Sequence, residues 1–213
     1  MKIIEVLDDM KSRRQTVFNI CFFLVMAVMI ADKIYKQYVG TGLTYIDVSF
    51  TIQNIVLLTV ILIRRPHRGV DSSVFNQAVA LAAFCSGIAF MGQQTVQNSL
   101  LTAVSTGIII IANILGITTL LALGRSFGVL IAVREIKTSG LYSFVRHPMY
   151  GTDILLRIGF IVSHFNPLTA FVFVVSTGCY VYRAVLEEKF LSREEAYSLY
   201  MKKVRYRFIP GFF

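Results

Sequence analysis

With 55% hydrophobic residues, 15% charged residues and a mean hydropathy of +0.66, this 213-residue chain is not a soluble domain, where about 25% of residues are charged. The composition instead predicts an all-α integral membrane protein. Its net charge of +9 is accounted for by topology and anionic lipid headgroups, so membrane lipids are expected as partners and nucleic acid is not.

Apolar segments of the ~20 residues needed to cross a bilayer run over 17–36, 44–63, 76–93 and 99–123, which predicts about four transmembrane helices. The first follows a charged stretch from Asp8 to Arg14 and has no small-residue cleavage site, so it reads as a retained span and not a signal peptide. A fifth apolar region, 150–188, is too long for one crossing and breaks at Ser163-His164-Phe165-Asn166-Pro167. Pro167 lacks a backbone donor and Asn166 favours a turn, which predicts a C-terminal helical hairpin. Cys21, Cys85 and Cys179 lie within apolar segments without CxxC spacing. They read as small buried core residues, and neither a metal site nor a disulfide is expected.

Basic residues orient the chain. Lys2, Lys11, Arg13 and Arg14 precede the first span, and Arg64, Arg65 and Arg68 follow the second. Arg125, Arg134, Lys137 and Arg146 follow the fourth, and the tail carries Lys202, Lys203, Arg205 and Arg207. The loop Gly92–Ser99 has no charge, and Asp32, Lys33, Lys36 and Asp47 balance between the first two spans. The positive-inside rule places both termini and the 124–149 loop in the cytoplasm.

Two motifs stand at the same end of the expected hairpin: Arg146-His147-Pro148-Met149-Tyr150-Gly151 and Arg183-Ala184-Val185-Leu186-Glu187-Glu188. Ionisable groups at the ends of a membrane segment must be solvated, paired or bound to something polar. Snorkelling arginines would explain the basic residues. They do not explain a His-Pro-x-Tyr turn beside a Glu pair, which suits a polar ligand held at the membrane surface.

The loop also contains Gly124-Arg125-Ser126-Phe127-Gly128 and Arg134-Glu135-Ile136-Lys137-Thr138-Ser139-Gly140-Leu141-Tyr142, and the tail contains Tyr197, Tyr200, Arg205 and Ile209-Pro210-Gly211. Over roughly residues 120–213, this order and spacing resemble the isoprenylcysteine carboxyl methyltransferase family, with its prokaryotic relatives and the wider phospholipid methyltransferase group. The resemblance implies an S-adenosylmethionine-dependent enzyme whose cofactor site lies at the cytoplasmic ends of the last helices. No Gly-rich strand-turn-helix fingerprint offers a soluble nucleotide fold instead. By motif, the resemblance places Tyr142, His147, Pro148, Met149, Tyr150 and Glu187 around the cofactor, and by spacing it places Ile136 and Lys137 beside it. Arg183 corresponds to a substrate-contacting arginine. Residues 1–123 would then be the transmembrane helices 1–4, and 124–213 the catalytic region of one integrated membrane domain.

These roles agree with the chemistry. A carboxylate such as Glu187 suits the cofactor ammonium, and rings such as Tyr142 and Tyr150 suit the adenine or sulfonium. His147 can donate to a carboxylate or ribose oxygen, or can be a satisfied structural residue at a helix entry, with Pro148 opening the helix. Arg183 and Glu187 share a helix face at i, i+4, so an intrahelical ion pair is the alternative to a substrate role. The expected acceptor is lipid-like or prenylated, most simply a prenylcysteine carboxylate, which attacks a sulfonium methyl without a base. A phospholipid amine would need a base, and Glu188 is the first candidate. A sterol-reductase-like enzyme using NADPH is disfavoured because an acidic pair repels a 2′-phosphate. A transporter or assembly subunit would leave the hairpin cluster unexplained. Asp153 and Arg157, also at i, i+4, match no family motif and read either as a pair closing a packing gap or as a substrate contact. The short loops fit a prokaryotic inner membrane or an endoplasmic reticulum equally, and the former is the favoured expectation.

Overall fold

The computed structural model describes residues 2–40, 45–65, 67, 69–86 and 98–211. Along these residues run α1 (Lys2–Gly40), α2 (Tyr45–Ile63), β1 (Gly69–Val70), α3 (Val74–Cys85), α4 (Ser99–Leu123), β2 (Ala132–Val133), α5 (Pro148–Ser163), α6 (Pro167–Leu191) and α7 (Glu195–Lys203). Among the described residues, three stretches, Ile46–Ile63, Ser99–Ser126 and Pro167–Leu191, are long and apolar enough to cross a membrane. The chain is a membrane protein.

The expected span at 17–36 lies inside α1, which continues as helix back through the charged stretch to Lys2. At 1.5 Å per residue, α1 is about 58 Å long, well beyond a bilayer core of about 30 Å. The expected span at 76–93 is helical over Val74–Cys85; its remainder beyond Ser86, most of the loop Gly92–Ser99, and Arg68 lie outside the described residues.

The helices neighbour one another in the order α1, α2, α4, α5, α6, α3. The α4–α5 seam is the tightest for a specific reason. A Cβ on Gly159 would stand 2.7 Å from Ile109 Cγ1, so only glycine permits this approach. The bare backbone is used: Ser105 Oγ donates to the Gly159 carbonyl at 2.7 Å and also contacts Ser163 Oγ. Between α2 and α4, the fully buried Asn113 donates to Ser49 Oγ at 2.8 Å. Small and polar residues are the expected adhesive where lipid removes the hydrophobic drive for helices to associate.

The break between α5 and α6 is built as its residues predict. Asn166 accepts from Thr169 N at 2.9 Å, Thr169 Oγ1 accepts from Asn166 N at 3.0 Å, and Pro167 occupies the first turn. A reciprocal cap of this kind contributes about 1 kcal/mol.

The cysteines correct the reading from sequence. Cys21 and Cys85 are exposed on the helix surface and Cys179 is half-buried; all three are free thiols. In a membrane chain the outer helix face meets lipid, where a small apolar side chain is as well accommodated as in the core.

The segment after α4 is ordered by burial. Gly124 closes the helix with a φ of +46°, a conformation that favours glycine. Phe127, Val129, Ile131 and Val133 are then buried in alternation, the period of an extended strand. β2 pairs antiparallel with β1, Gly69 opposite Val133. Gln77 of α3 completes the edge: its Nε2 donates to Ile131 O, and its Oε1 accepts from Ile131 N.

Candidate functional site

The Arg-His-Pro-x-Tyr motif forms the entry of α5. His147 precedes a proline and is therefore kept out of helical geometry, while Pro148 opens the helix. The tail runs alongside: Arg146 N donates to Tyr206 O at 2.9 Å and His147 N to Arg207 O at 2.8 Å. The backbone of Gly151 faces Phe208, whose carbonyl would lie 3.3 Å from any added Cβ.

A cleft opens between this entry, the loop after α4, the last turns of α6, and α7. Of the residues expected around a cofactor, Ile136, Lys137, Tyr142, His147, Met149, Tyr150 and Glu187 line it. Pro148, Arg183 and Glu188 stand outside the lining. Ser126, Gly128, Arg134, Arg146, Tyr197 and Tyr200 also line it.

Glu187 is the acidic wall. Its Oε1 accepts from Tyr150 OH at 2.6 Å and from Arg183 Nε at 3.1 Å, while its Oε2 is 3.9 Å from His147 Nδ1. Oε1 is thus committed to the protein, and Oε2 is the oxygen left for a ligand. The His147 and Tyr150 rings stack at 5.3 Å, and the Arg183 guanidinium lies 5.0 Å over Tyr150.

Arg183 is 1% exposed and its donors are spent on protein acceptors. Besides Glu187, Nη1 donates to Ala80 O at 3.0 Å, and Nη2 donates to Gly128 O at 3.2 Å and Val129 O at 2.7 Å. One guanidinium therefore joins α6, α3 and the loop after α4.

Glu188, 4% exposed, points about 100° around α6 from Glu187. Arg146 Nε lies 2.8 Å from its Oε1, His147 Nε2 lies 3.2 Å from the same oxygen, and Arg207 Nε donates to Oε2 at 3.0 Å. The Glu pair therefore divides its tasks: one carboxylate faces the cleft and its neighbour ties the motif to the tail.

Asp153 and Arg157 meet through a third residue. Tyr180 OH donates to Asp153 Oδ2 at 2.8 Å, and Arg157 Nη2 donates to Tyr180 OH at 3.3 Å and to Ser86 Oγ at 2.8 Å. Arg157 Nη1 reaches the main-chain carbonyl of Asp153 at 3.0 Å. With Arg157 4% exposed and Tyr180 1%, the group closes the α3–α5–α6 interior, which accords with the packing-gap reading.

Outside the membrane segments, burial pushes the Tyr142 phenol well above its usual range, with Tyr200 and Glu187 adding to the shift. Tyr142 is a neutral phenol, and its carbonyl accepts from Tyr200 OH at 2.6 Å. Burial lowers Arg134 from the usual guanidinium value, and the charge of Glu187 partly restores it. Four buried polar atoms of the cleft have no hydrogen-bond partner among the described residues: Ser126 Oγ, Arg134 Nε, Tyr197 OH and Arg146 Nε, the last of which is in ion-pair contact with Glu188. Buried polar groups are nearly always satisfied, so this donor set fits a polar, partly anionic ligand.

Sequence reasoning used Arg134, Arg146 and Arg207 to orient the chain and gave them no role in the site, and it read 124–149 as a cytoplasmic loop. The alternation Phe127, Val129, Ile131, Val133 was the signal for a buried segment that ends in β2 and is followed directly by Arg134. Arg207 had no local signal, because its partner is nineteen positions away on another element.

Residues 105–193 match the family model of the isoprenylcysteine carboxyl methyltransferase (ICMT) family, a stretch that holds the loop, α5 and α6. A similar curated protein is protein-S-isoprenylcysteine O-methyltransferase B of Arabidopsis thaliana, 36% identical over 72 residues. The aligned stretch covers 32% of this chain and 36% of that relative, so the chain spans about a third of the relative's length. Through residues 105–193, which hold most of the cleft lining, the chain is similar to the isoprenylcysteine carboxyl methyltransferase family.

Proposed function

We propose that the chain is an S-adenosylmethionine-dependent membrane methyltransferase that O-methylates a hydrophobic, membrane-embedded carboxylate of the prenylcysteine type. The observation that carries this reading is the cleft. It gathers Ile136, Lys137, Tyr142, His147, Met149, Tyr150 and Glu187 from three separate segments, all within or beside the family segment. The name of the Arabidopsis relative supports the acceptor class.

S-adenosylmethionine would supply a sulfonium methyl that a carboxylate takes without a general base, one C–O bond forming as the C–S bond breaks. Opposite charges are neutralised in that step, which a water-poor site favours. The residues then have mainly to bind and align, and orientation alone can contribute about 7–11 kcal/mol. Glu187 Oε2 would take an ammonium, Tyr142 and Tyr150 would cover cationic or aromatic parts, and His147 would donate to a carboxylate or ribose oxygen. Arg183, with its donors on protein acceptors, would position Glu187 and the loop. The arginines around Glu188 argue against its serving as a base, so the amine reading has no support from the geometry.

The topology that completes this reading is four spans and a C-terminal hairpin, with both termini and the cleft on the cytoplasmic side of a prokaryotic inner membrane. The acceptor would then enter laterally from the inner leaflet. Calorimetry of the purified protein with S-adenosylhomocysteine and, in parallel, NADPH tests the proposal. Heat with the first and none with the second is expected; the reverse would replace the methyltransferase with a reductase.

A further inference from the structure

Tyr150, whose hydroxyl holds Glu187 Oε1 at 2.6 Å, is itself packed against a ring from deeper in the fold. Its centroid lies 5.3 Å from that of Tyr180, with the two planes tilted by 37°. Both rings are buried in one cluster with Ala83 and Ala184, whose small side chains leave room for them. Tyr180 is in turn fixed at its polar end. Its hydroxyl donates to Asp153 Oδ2 at 2.8 Å and accepts from Arg157 Nη2 at 3.3 Å. The Arg157 guanidinium also stands 4.8 Å over the Tyr180 ring.

Arg157 follows Tyr150 by seven residues, so it sits about 10 Å further along α5 from the cleft. Ionisable groups at that depth in a membrane protein are costly, and apolar side chains would close the same space at less expense. Filling a packing gap accounts for the burial of Asp153 and Arg157 and not for their charge. What the pair adds is direction. A phenol that donates to one fixed partner and accepts from another is held in one orientation, which apolar packing specifies less sharply. Arg157 is itself tied to α5 through Asp153 O at 3.0 Å, to α3 through Ser86 Oγ at 2.8 Å and to α6 through Tyr180.

We propose that Asp153, Arg157 and Tyr180 are positioning residues for the cleft: they fix the Tyr180 ring, that ring fixes Tyr150, and the Tyr150 hydroxyl fixes the Glu187 carboxylate. The relay is continuous, from the 2.8 Å and 3.3 Å bonds at the Tyr180 hydroxyl, through the 5.3 Å ring contact, to the 2.6 Å bond at Glu187. Of its members, Tyr150 and Glu187 line the cleft, so the other three act on a ligand only through them. The inference rests on the methyltransferase reading and adds to it three residues outside the motifs on which that reading stands.

Tyr180→Phe removes the hydroxyl that Asp153 and Arg157 hold and keeps the ring. In calorimetry of the purified full chain, it is expected to weaken S-adenosylhomocysteine about 2- to 10-fold, and by no more than Tyr150→Phe does. In a Tyr150→Phe background the same change should have no further effect on affinity, although it still lowers the unfolding temperature. That dependence on Tyr150 is the readout a merely structural role would not give. Asp153→Asn keeps an oxygen facing the Tyr180 hydroxyl and is the milder variant where Tyr180→Phe does not fold. It should show a smaller loss of affinity with the same dependence on Tyr150. Parent affinity in both variants, with only the unfolding temperature lowered, would overturn the inference in favour of packing alone. A loss that repeats in full in the Tyr150→Phe background would overturn it by removing the path through Tyr150. An unaltered protein that does not bind S-adenosylhomocysteine would overturn the methyltransferase reading itself, and the inference with it.

Discussion

Arg183 Nε donates to Glu187 Oε1 at 3.1 Å across one turn of α6, and the rest of the same guanidinium holds the carbonyls of Ala80, Gly128 and Val129. The wall of the cleft and the loop that completes it are therefore set by one side chain.

This relationship makes Arg183 a discriminating position. Arg183→Ala is expected to destabilise the protein by about 3–5 kcal/mol, because Glu187 loses its partner and three carbonyls lose their donor in the interior. S-adenosylhomocysteine affinity should fall with it, and Arg183→Lys should recover little, since an ammonium cannot span those acceptors. Thermal unfolding and calorimetry on the two variants check this. Full stability and ligand affinity with collapsed methyl transfer would instead assign Arg183 to the acceptor.

Removing the acidic wall should be felt by the ligand more than by the fold. Glu187→Ala is expected to weaken S-adenosylhomocysteine by about 1.5–3 kcal/mol, the range of a charge-assisted hydrogen bond. Tyr150→Phe, which removes the 2.6 Å bond to Oε1 and keeps the ring, should cost about 0.5–1.5 kcal/mol. A double variant should lose less than the sum, because both changes act through one carboxylate. Strict additivity in the calorimetric cycle would show that Tyr150 acts on the ligand independently.

Glu188 carries a stability prediction. Glu188→Gln leaves Arg146 buried beside a neutral group and releases Arg207 of the tail. A loss of about 3 kcal/mol is expected, with the tail becoming more accessible to protease. Chemical denaturation in detergent, with limited proteolysis of the tail, measures both. A variant as stable as the parent, with only turnover reduced, would return Glu188 to a catalytic role.

Gly159→Ala should separate α4 from α5. The new Cβ would stand 2.7 Å from Ile109 Cγ1, and overpacking of this kind costs about 1–3 kcal/mol. Ile109→Ala, which removes that γ carbon, should restore part of the loss in the Gly159→Ala background. No rescue in thermal unfolding would mean that the clash is relieved elsewhere along the seam.

The helical architecture was legible from sequence because each of its signals is local. The apolar runs at 44–63 and 99–123 became α2 and α4, and the break at Ser163–Pro167 became a capped turn, since a proline and an Asx cap act within four residues. The Arg-His-Pro-x-Tyr and Glu-Glu motifs likewise marked where polar groups gather, because burying them without partners in lipid would be costly. Tertiary structure alone decided their division of labour. Nothing local distinguishes Glu187 from Glu188, yet the helix turns adjacent side chains about 100° apart, so one meets the cleft and the other meets Arg146 and Arg207. The outward face of Cys21 and Cys85 followed the same rule, because hydrophobicity does not separate lipid from core. Arg134 entered the site only through the pairing of β2 with β1 and the bare backbone of Gly128, contacts between segments that lie far apart in the chain or act only once it has folded.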